Sequence, residues 1–271
     1  MSGWRFAPAP FLIAGPCLAE AGDLLPRVAG RLAEIGQRLG LRICFKASFD
    51  KANRARLSGA RGPGLEQGLA LLARAREVSG LPLLTDVHEP PQAAAAAQVV
   101  DALQVPAFLC RQTDLLLACG RTGKPVNLKK GQWLAPEEMR GAVEKLRSAG
   151  AEEIAVTERG TFFGYGDLVV DFRGIARLRE ATGAPVIFDA SHSAQQPGRG
   201  TEGSSGGQRA VIPALLAAAA GAGVDGFFIE THPDPARAPS DPESQWPLDE
   251  LEPLLARTLA IWRAARGEES A

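Results

Sequence analysis

Residues 185–192 read Pro-Val-Ile-Phe-Asp-Ala-Ser-His: a short apolar run suited to a buried strand, followed at once by ionisable and hydroxyl side chains. The same grammar recurs along the chain. Segments 11–17, 42–49, 82–88, 102–108, 125–129, 153–159 and 226–232 are also short runs rich in β-branched or aromatic residues, which makes eight. Between most of them lie stretches with the apolar spacing of amphipathic helices, such as 24–39, 65–78, 136–149 and 212–222. Pro136 followed by Glu137 and Glu138 is a helix start, with proline in the first turn and acids near the positive end of the dipole. Gly40, Gly80 and Gly150 stand where helices should stop. The run 93–97 is all alanine and reads as a helix packed closely on a neighbour rather than as low complexity.

Strands that alternate with helices pair in parallel through crossovers. Eight such units predict an α/β fold, a single (β/α)8 TIM barrel with its active site at the C-terminal mouth. The expected layout is one domain over residues 1–271, with a short N-terminal extension, a last helix at 249–266 and a frayed end at 267–271. An open doubly wound sheet is the alternative. It normally carries a glycine-rich dinucleotide turn after its first strand, and Gly15-Pro16-Cys17 is not such a turn.

Composition narrows the function. Lys plus Arg is 30 and Asp plus Glu is 31, a net charge of −1, which argues against a nucleic-acid binder or a polybasic membrane-surface protein. Four cysteines at 17, 44, 110 and 119 form no CxxC pair, so a reducing cytoplasm fits better than a disulfide scaffold. The apolar run 11–15 is too short for a secretory core, and the tract 210–224 is broken by Pro213, Gly221 and Gly223. A cytoplasmic protein is expected.

The position of the polar groups points to chemistry. Nearly every strand run ends in ionisable or ligand-capable residues, and a barrel gathers those ends at one mouth. The first theme is cationic: Lys46, Lys51, Arg54, Arg61, Arg111, Lys129, Lys130 and Arg159 predict an anionic substrate, phosphate or carboxylate, with more than one anion. The second is metal-like. Cys17, His192 and Glu230 fall on the first, seventh and eighth runs, which are neighbours once the barrel closes. A thiolate, an imidazole and a carboxylate suit a borderline divalent transition metal. Asp241, in the loop after Glu230, is the natural fourth ligand, with Asp234 as its competitor. Cys44, Cys110 and Cys119 read as core, and His88 and His232 as ligands or hydrogen-bonded mouth residues. The Gly- and Ser-rich loop 193–208 reads as a lid over the mouth.

The chain resembles the 3-deoxy-D-manno-octulosonate 8-phosphate synthases, over roughly residues 11 to 260. The resemblance rests on Phe45-Lys46-Ala47-Ser48-Phe49-Asp50-Lys51-Ala52-Asn53-Arg54, on Thr85-Asp86-Val87-His88-Glu89 and on the stretch Gln104 to Asp114. Thr157-Glu158-Arg159-Gly160, Phe188-Asp189-Ala190-Ser191-His192-Ser193 and Glu230-Thr231-His232-Pro233-Asp234-Pro235 agree with it too. It implies a transferase that condenses phosphoenolpyruvate with D-arabinose 5-phosphate and water for lipopolysaccharide synthesis. Cys17 at the end of the first strand implies the metal-dependent class, with ligands Cys17, His192, Glu230 and Asp241 and zinc, iron, manganese or cobalt as the metal.

The resemblance further implies that Lys46, Lys51, Lys129 and Arg159 hold phosphoenolpyruvate with Gln195 near it, helped by Ser48 and the backbone around Ala107. Asn53 and Arg54 are implied to bind the pentose phosphate, with Arg111 reaching in from a neighbour in a homotetramer. Asp86 is implied to sit near the sugar; His192, Asp86 and Asp241 are expected to share proton transfer, with Lys129 at the reacting centre. One departure stands out: the family commonly has Ser after Lys-Ala-Asn-Arg, and this chain has Ala55 and then Arg56, so a hydroxyl donor to the sugar phosphate is lost. Two other readings remain. The related synthase using erythrose 4-phosphate shares the barrel and metal set but typically reads KPRTS at the sugar-phosphate loop. A catalytically inactive sugar-phosphate-binding barrel should have lost some mouth ligands.

Overall fold

Eight parallel strands close on themselves: β1 (Phe11–Gly15), β2 (Arg42–Lys46), β3 (Leu83–Asp86), β4 (Ala102–Val105), β5 (Val126–Lys129), β6 (Ile154–Glu158), β9 (Val186–Asp189) and β10 (Gly226–His232). Each pairs with the next in sequence, and β10 returns to β1 with Phe11 opposite Gly226 and Gly15 opposite Glu230. The expected TIM barrel is the fold. The computed structural model describes residues 4–54, 59–163, 166–200 and 206–267. Ala55, Arg56, residues 201–205 of the expected lid and residues 268–271 of the expected frayed end lie outside that set.

Helices α1 (Leu24–Leu39), α2 (Leu65–Ser79), α3 (Pro90–Ala97), α4 (Thr113–Arg121), α5 (Met139–Ser148), α6 (Arg173–Thr182), α8 (Ile212–Gly221) and α9 (Leu251–Ala265) cover the barrel. Gly40 and Gly80 end α1 and α2 in the left-handed conformation, at φ 60° and 68°, which glycine adopts without steric cost. The alanine run is α3, opened by two prolines and a Glu89–Gln92 capping box, and Ala93 and Ala96 are fully buried. Segment 136–149 forms as a 3-10 turn followed by α5.

Most predicted runs overshoot their strands by one to three residues. The chain turns aside early, at the 3-10 turn Ala107–Leu109 and at the short helix α7 (Ala190–Ser193), so several functional side chains stand in loops rather than on strands. Cys17 likewise follows β1 instead of ending it. The hairpin β7 (Thr161–Phe162) and β8 (Leu168–Val169), and the short β11 (Trp246–Pro247) beside β10, lie outside the eight-run reading.

The period-2 alternation of each strand divides the barrel wall. Outward side chains such as Leu12, Ala14, Ile43, Val126 and Leu128 pack on the helices in one large core. Inward ones, Phe11, Ile13, Cys44, Leu84, Ala102, Ala155, Ile187 and Phe228, fill the lower barrel, and Trp4 and Phe6 close its base. Two residues further along each strand the inward position turns polar: Lys46, Asp86, Gln104, Thr157, Asp189 and Glu230, all buried. An apolar plug thus supports a polar floor, and the mouth lies above it.

Candidate active site

A cavity of about 300 Å³ opens at the C-terminal ends of the strands, lined among others by Lys46, Lys51, Asp86, Lys129, Arg159 and His192. Asn53, Arg54, Ala107, Gln195 and Asp241 also line it. The strand ends bring these together from all around the ring.

Three acidic groups meet at one edge. Ligand atoms of Cys17, Glu230 and Asp241 lie within 4.8 Å of one another, and all three residues are buried. Cys17 Sγ is 3.0 Å from Asp241 Oδ2. Burial, reinforced by the Glu230 charge, pushes the Cys17 thiol well above its ordinary value. Glu230 Oε2 is buried without a hydrogen-bond partner. Asp241 holds its position in left-handed backbone at φ 49°, the one non-glycine residue with positive φ among the described residues. An aspartate kept there at a steric cost fits a ligand role. A sulfur and two carboxylates this close, one oxygen unpartnered, form a donor set that a divalent transition metal would neutralise. His192 stands at its margin, with Nε2 3.7 Å from Glu230 Oε1. Asp189 orients the ring: its Oδ2 is 2.7 Å from His192 Nδ1, and its Oδ1 accepts the His192 backbone N–H. Asp234, the competitor, stays outside the group; its backbone N–H donates to His232 Nδ1.

The cations adjoin the acidic group, with Lys51 Nζ 3.9 Å from Glu230 Oε1. Lys46 Nζ donates to Glu230 Oε1 at 2.8 Å and to the Cys17 carbonyl. Burial works to lower Lys46 and Lys51, but the acids around them outweigh it and hold both protonated. Lys129 differs. Burial brings its pKa down to about 8, although its Nζ pairs with Asp189 and lies 3.3 Å from the centre of the Phe228 ring. Arg159 Nη2 donates to Gln195 Oε1, while Nη1 is buried with no partner. Gln195 Nε2 donates onward to Asp241 Oδ1, so one amide ties the cationic wall to the acidic group. An unpartnered guanidinium N–H on a cavity also lined by Lys46, Lys51 and Lys129 is a seat for a carboxylate or phosphate.

Several sequence-predicted residues have other settings. Lys130, just past β5, is buried outside the cavity, where Nζ donates to the Gly131 and Leu134 carbonyls and to Thr161, because alternation turns it away from its neighbour Lys129. Arg61 is exposed and paired with Asp50. Arg111 is exposed and does not line the cavity of its own chain. Ser48 donates its hydroxyl to Asp86 Oδ2, so it supports Asp86 rather than facing the cavity. Asp86 accepts on both oxygens, from Ser48 and Gln104. Burial opposes its charge, yet Lys46 and Lys51 hold it well below the usual carboxylate range, an acceptor rather than a proton carrier. Cys44, Cys110 and Cys119 are buried, as expected. Asp189, Gln104, Ser240 and Gln245 were not assigned from sequence. Gln245 Oε1 accepts the Cys17 N–H and Ser240 Oγ contacts both Cys17 Sγ and Asp241. For Asp189 the signal was present: an acid at a strand end, three residues before a histidine.

The DAHP synthetase I family matches residues 8–260. The 2-dehydro-3-deoxyphosphooctonate aldolase of Nitratidesulfovibrio vulgaris (strain DP4) is 54% identical over 258 residues, 95% of this chain and 94% of the relative. That of Nitrobacter winogradskyi is 55% identical over 96% of this chain and 90% of its own, and that of Rhodopseudomonas palustris 56% over 92% and 86%. With the match spanning nearly the whole barrel, and relatives of one activity more than half identical to it, the chain belongs to the DAHP synthetase I family, among its 2-dehydro-3-deoxyphosphooctonate aldolases.

Proposed function

We propose that the chain catalyses the condensation of phosphoenolpyruvate with D-arabinose 5-phosphate and water, giving 3-deoxy-D-manno-octulosonate 8-phosphate and inorganic phosphate, a step toward lipopolysaccharide. What carries the reading is one cavity lined by Lys46, Lys51, Lys129 and Arg159, with the acidic group of Cys17, Glu230 and Asp241 at its edge. Two polyanionic substrates repel one another, and four cations offset that repulsion and set the approach. Lys46, Lys51, Lys129 and the unpartnered Arg159 N–H hold the carboxylate and phosphate of phosphoenolpyruvate. Asn53 and Arg54, also on the cavity wall, take the pentose phosphate.

In the reaction, C3 of phosphoenolpyruvate bonds to the aldehyde carbon, water adds at C2, and the C2–O bond breaks to release phosphate. Cys17, Glu230 and Asp241, completed by His192, would hold a divalent metal, whose identity among zinc, iron, manganese and cobalt the donor set does not fix. When bound, the metal supplies Lewis acidity to an aldehyde or water oxygen. The chain's own residues do the rest. Asp189 keeps a proton on His192 Nδ1 and leaves Nε2 as the ring's acceptor, turned toward Glu230. Gln195 transmits the position of Arg159 to Asp241. Residues 193–200, with Pro197 and Gly198 on the cavity wall, would help to shield the reacting atoms from water. Arg111, turned away from its own cavity, serves a neighbour's in a homotetramer. Cytoplasmic location follows from the substrates; among the described residues no helix is long and apolar enough to cross a membrane.

Phosphate release from phosphoenolpyruvate tests the reading. Release is expected with arabinose 5-phosphate, and little with erythrose 4-phosphate or with no sugar. Faster turnover with erythrose 4-phosphate would transfer the chain to the related synthase, and none with either sugar would leave a binding barrel.

A further inference from the structure

The polar floor of the barrel contains a hydrogen-bond chain that runs sideways through four strand positions and one residue just beyond a fifth strand. Thr157 Oγ1 on β6 donates to Asn127 Oδ1 on β5 at 2.6 Å. Asn127 Nδ2 donates to Gln104 Oε1 on β4 at 2.7 Å. Gln104 Nε2 donates to Asp86 Oδ1 on β3. From the other side, Ser48, just beyond β2, donates to Asp86 Oδ2 at 2.5 Å. Every donor therefore points toward Asp86. Thr157, Asn127 and Ser48 are completely buried, and Gln104 and Asp86 nearly so.

The sense of such a chain is a physical choice. A primary amide has a donor end and an acceptor end, and each can rotate through a half turn. An ionised carboxylate only accepts. With Asp86 held as an anion by Lys46 and Lys51, Gln104 must present its NH2 to it. Its oxygen then faces β5, where Asn127 must donate, and Asn127 in turn leaves its own oxygen for Thr157. Turning over either amide alone sets oxygen against oxygen, or NH2 against NH2, between buried side chains; the Thr157 hydroxyl, which can donate or accept, holds the Asn127 end of the chain in place. Gln104 and Asp86 line the cavity; Asn127 and Thr157 do not.

We propose that Asn127 and Thr157 are positioning residues: remote from the cavity, Asn127 locks the Gln104 amide with its NH2 toward Asp86 and Thr157 anchors Asn127, and so they hold two cavity-lining side chains in the single orientation that substrate meets. The proposal rests on the activity proposed above. It explains why an asparagine and a threonine stand on inward strand positions, where an apolar residue would have continued the plug.

Asn127→Asp tests it with almost no change of shape. The aspartate accepts from Thr157 but has nothing to donate to Gln104, so the Gln104 amide turns over and sets its oxygen against Asp86. Asp86 must then hold a proton to meet it. The charged and titratable groups facing Asp86 are Lys46 and Lys51 beyond it, Lys129 from β5 and His88 on its own side, and none of these is altered. Expected are a fall in kcat/KM of roughly 10–100-fold, as for other residues that orient a site from behind, and an acid limb of the pH profile moved upward by at least about one unit. Thr157→Val, which adds no charge, should lose several-fold, and Thr157→Ser, which keeps the hydroxyl, should restore the wild-type rate. An unmoved acid limb in Asn127→Asp, or a Thr157→Val enzyme equal to wild type, overturns the proposal. If Asn127→Asp does not fold, the valine and serine pair decides alone. Wild-type turnover on both substrates is measured first, so failure of the activity itself is seen separately.

Discussion

Lys129 sits between opposing forces. Burial favours its neutral form more strongly than Asp189 favours its charge, which brings its pKa down to about 8. The unfolded chain, with lysine near ~10.4, holds that proton over a range where the folded chain has released it. Stability contributed at this site therefore rises with pH between about 8 and ~10.4, and the cost of burial is felt in full below that window. Denaturant midpoints of wild type minus Lys129→Met, taken from pH 8 to 10, should show this rise; a flat difference would show that Lys129 keeps its proton. The acidic group is a second residue-scale case. Two carboxylates and a thiol held protonated by burial lie within 4.8 Å of one another, and a bound cation would favour the thiolate and neutralise the group. Removing two of them, Cys17→Ala with Asp241→Ala, should abolish metal uptake in elemental analysis of the purified protein, and exhaustive chelation of wild type should abolish turnover. Full turnover after chelation would refute a metal role.

At the scale of elements, the helices anchor the strand ends that carry the site. Leu32 lies on the buried face of α1, in the core shared by strands and helices, with no exposure. Leu32→Ala should cost about 2–5 kcal/mol in denaturant unfolding, the usual range for a leucine cavity, while substrate affinity of the folded enzyme stays near wild type. An unchanged unfolding midpoint would mean that the helix layer relaxes into the gap. The elements themselves were largely legible, because a period of two, a period of 3.6 and a stop at glycine are local properties. Helix α1 forms over 24–39, as its spacing predicts. Strand ends were less legible. Pro106 and Asp189 carry the chain into short helical turns that no apolar pattern announces.

At the scale of the whole molecule, closure of the ring brings β1 beside β10, and with them Cys17 near Glu230. Beyond the single chain, exposed Arg111 and the stacked, half-exposed Phe108 and Trp133 occupy the loops after β4 and β5. If Arg111 completes a neighbour's site, Arg111→Ala and Lys129→Ala should each be nearly inactive alone. Hybrid oligomers reassembled from both should regain part of the wild-type rate, since some intact cavities then face an intact Arg111. No recovery on mixing would place Arg111 in its own subunit's chemistry or outside the reaction.

The sequence by itself determined the barrel, the mouth and the cast of cations and acids, because alternation and strand-end chemistry are written within a few residues of one another. Tertiary structure alone decided which of them meet. Lys130 turns away from the cavity while Lys129 turns into it. Asp189 serves both Lys129 and His192. Asp241 reaches Cys17 from 224 positions away, in left-handed backbone. The Thr157–Asn127–Gln104–Asp86 chain forms from four separate strands. Such meetings depend on the stagger between neighbouring strands and on the sense of buried hydrogen bonds, and neither is a property of any short stretch of residues.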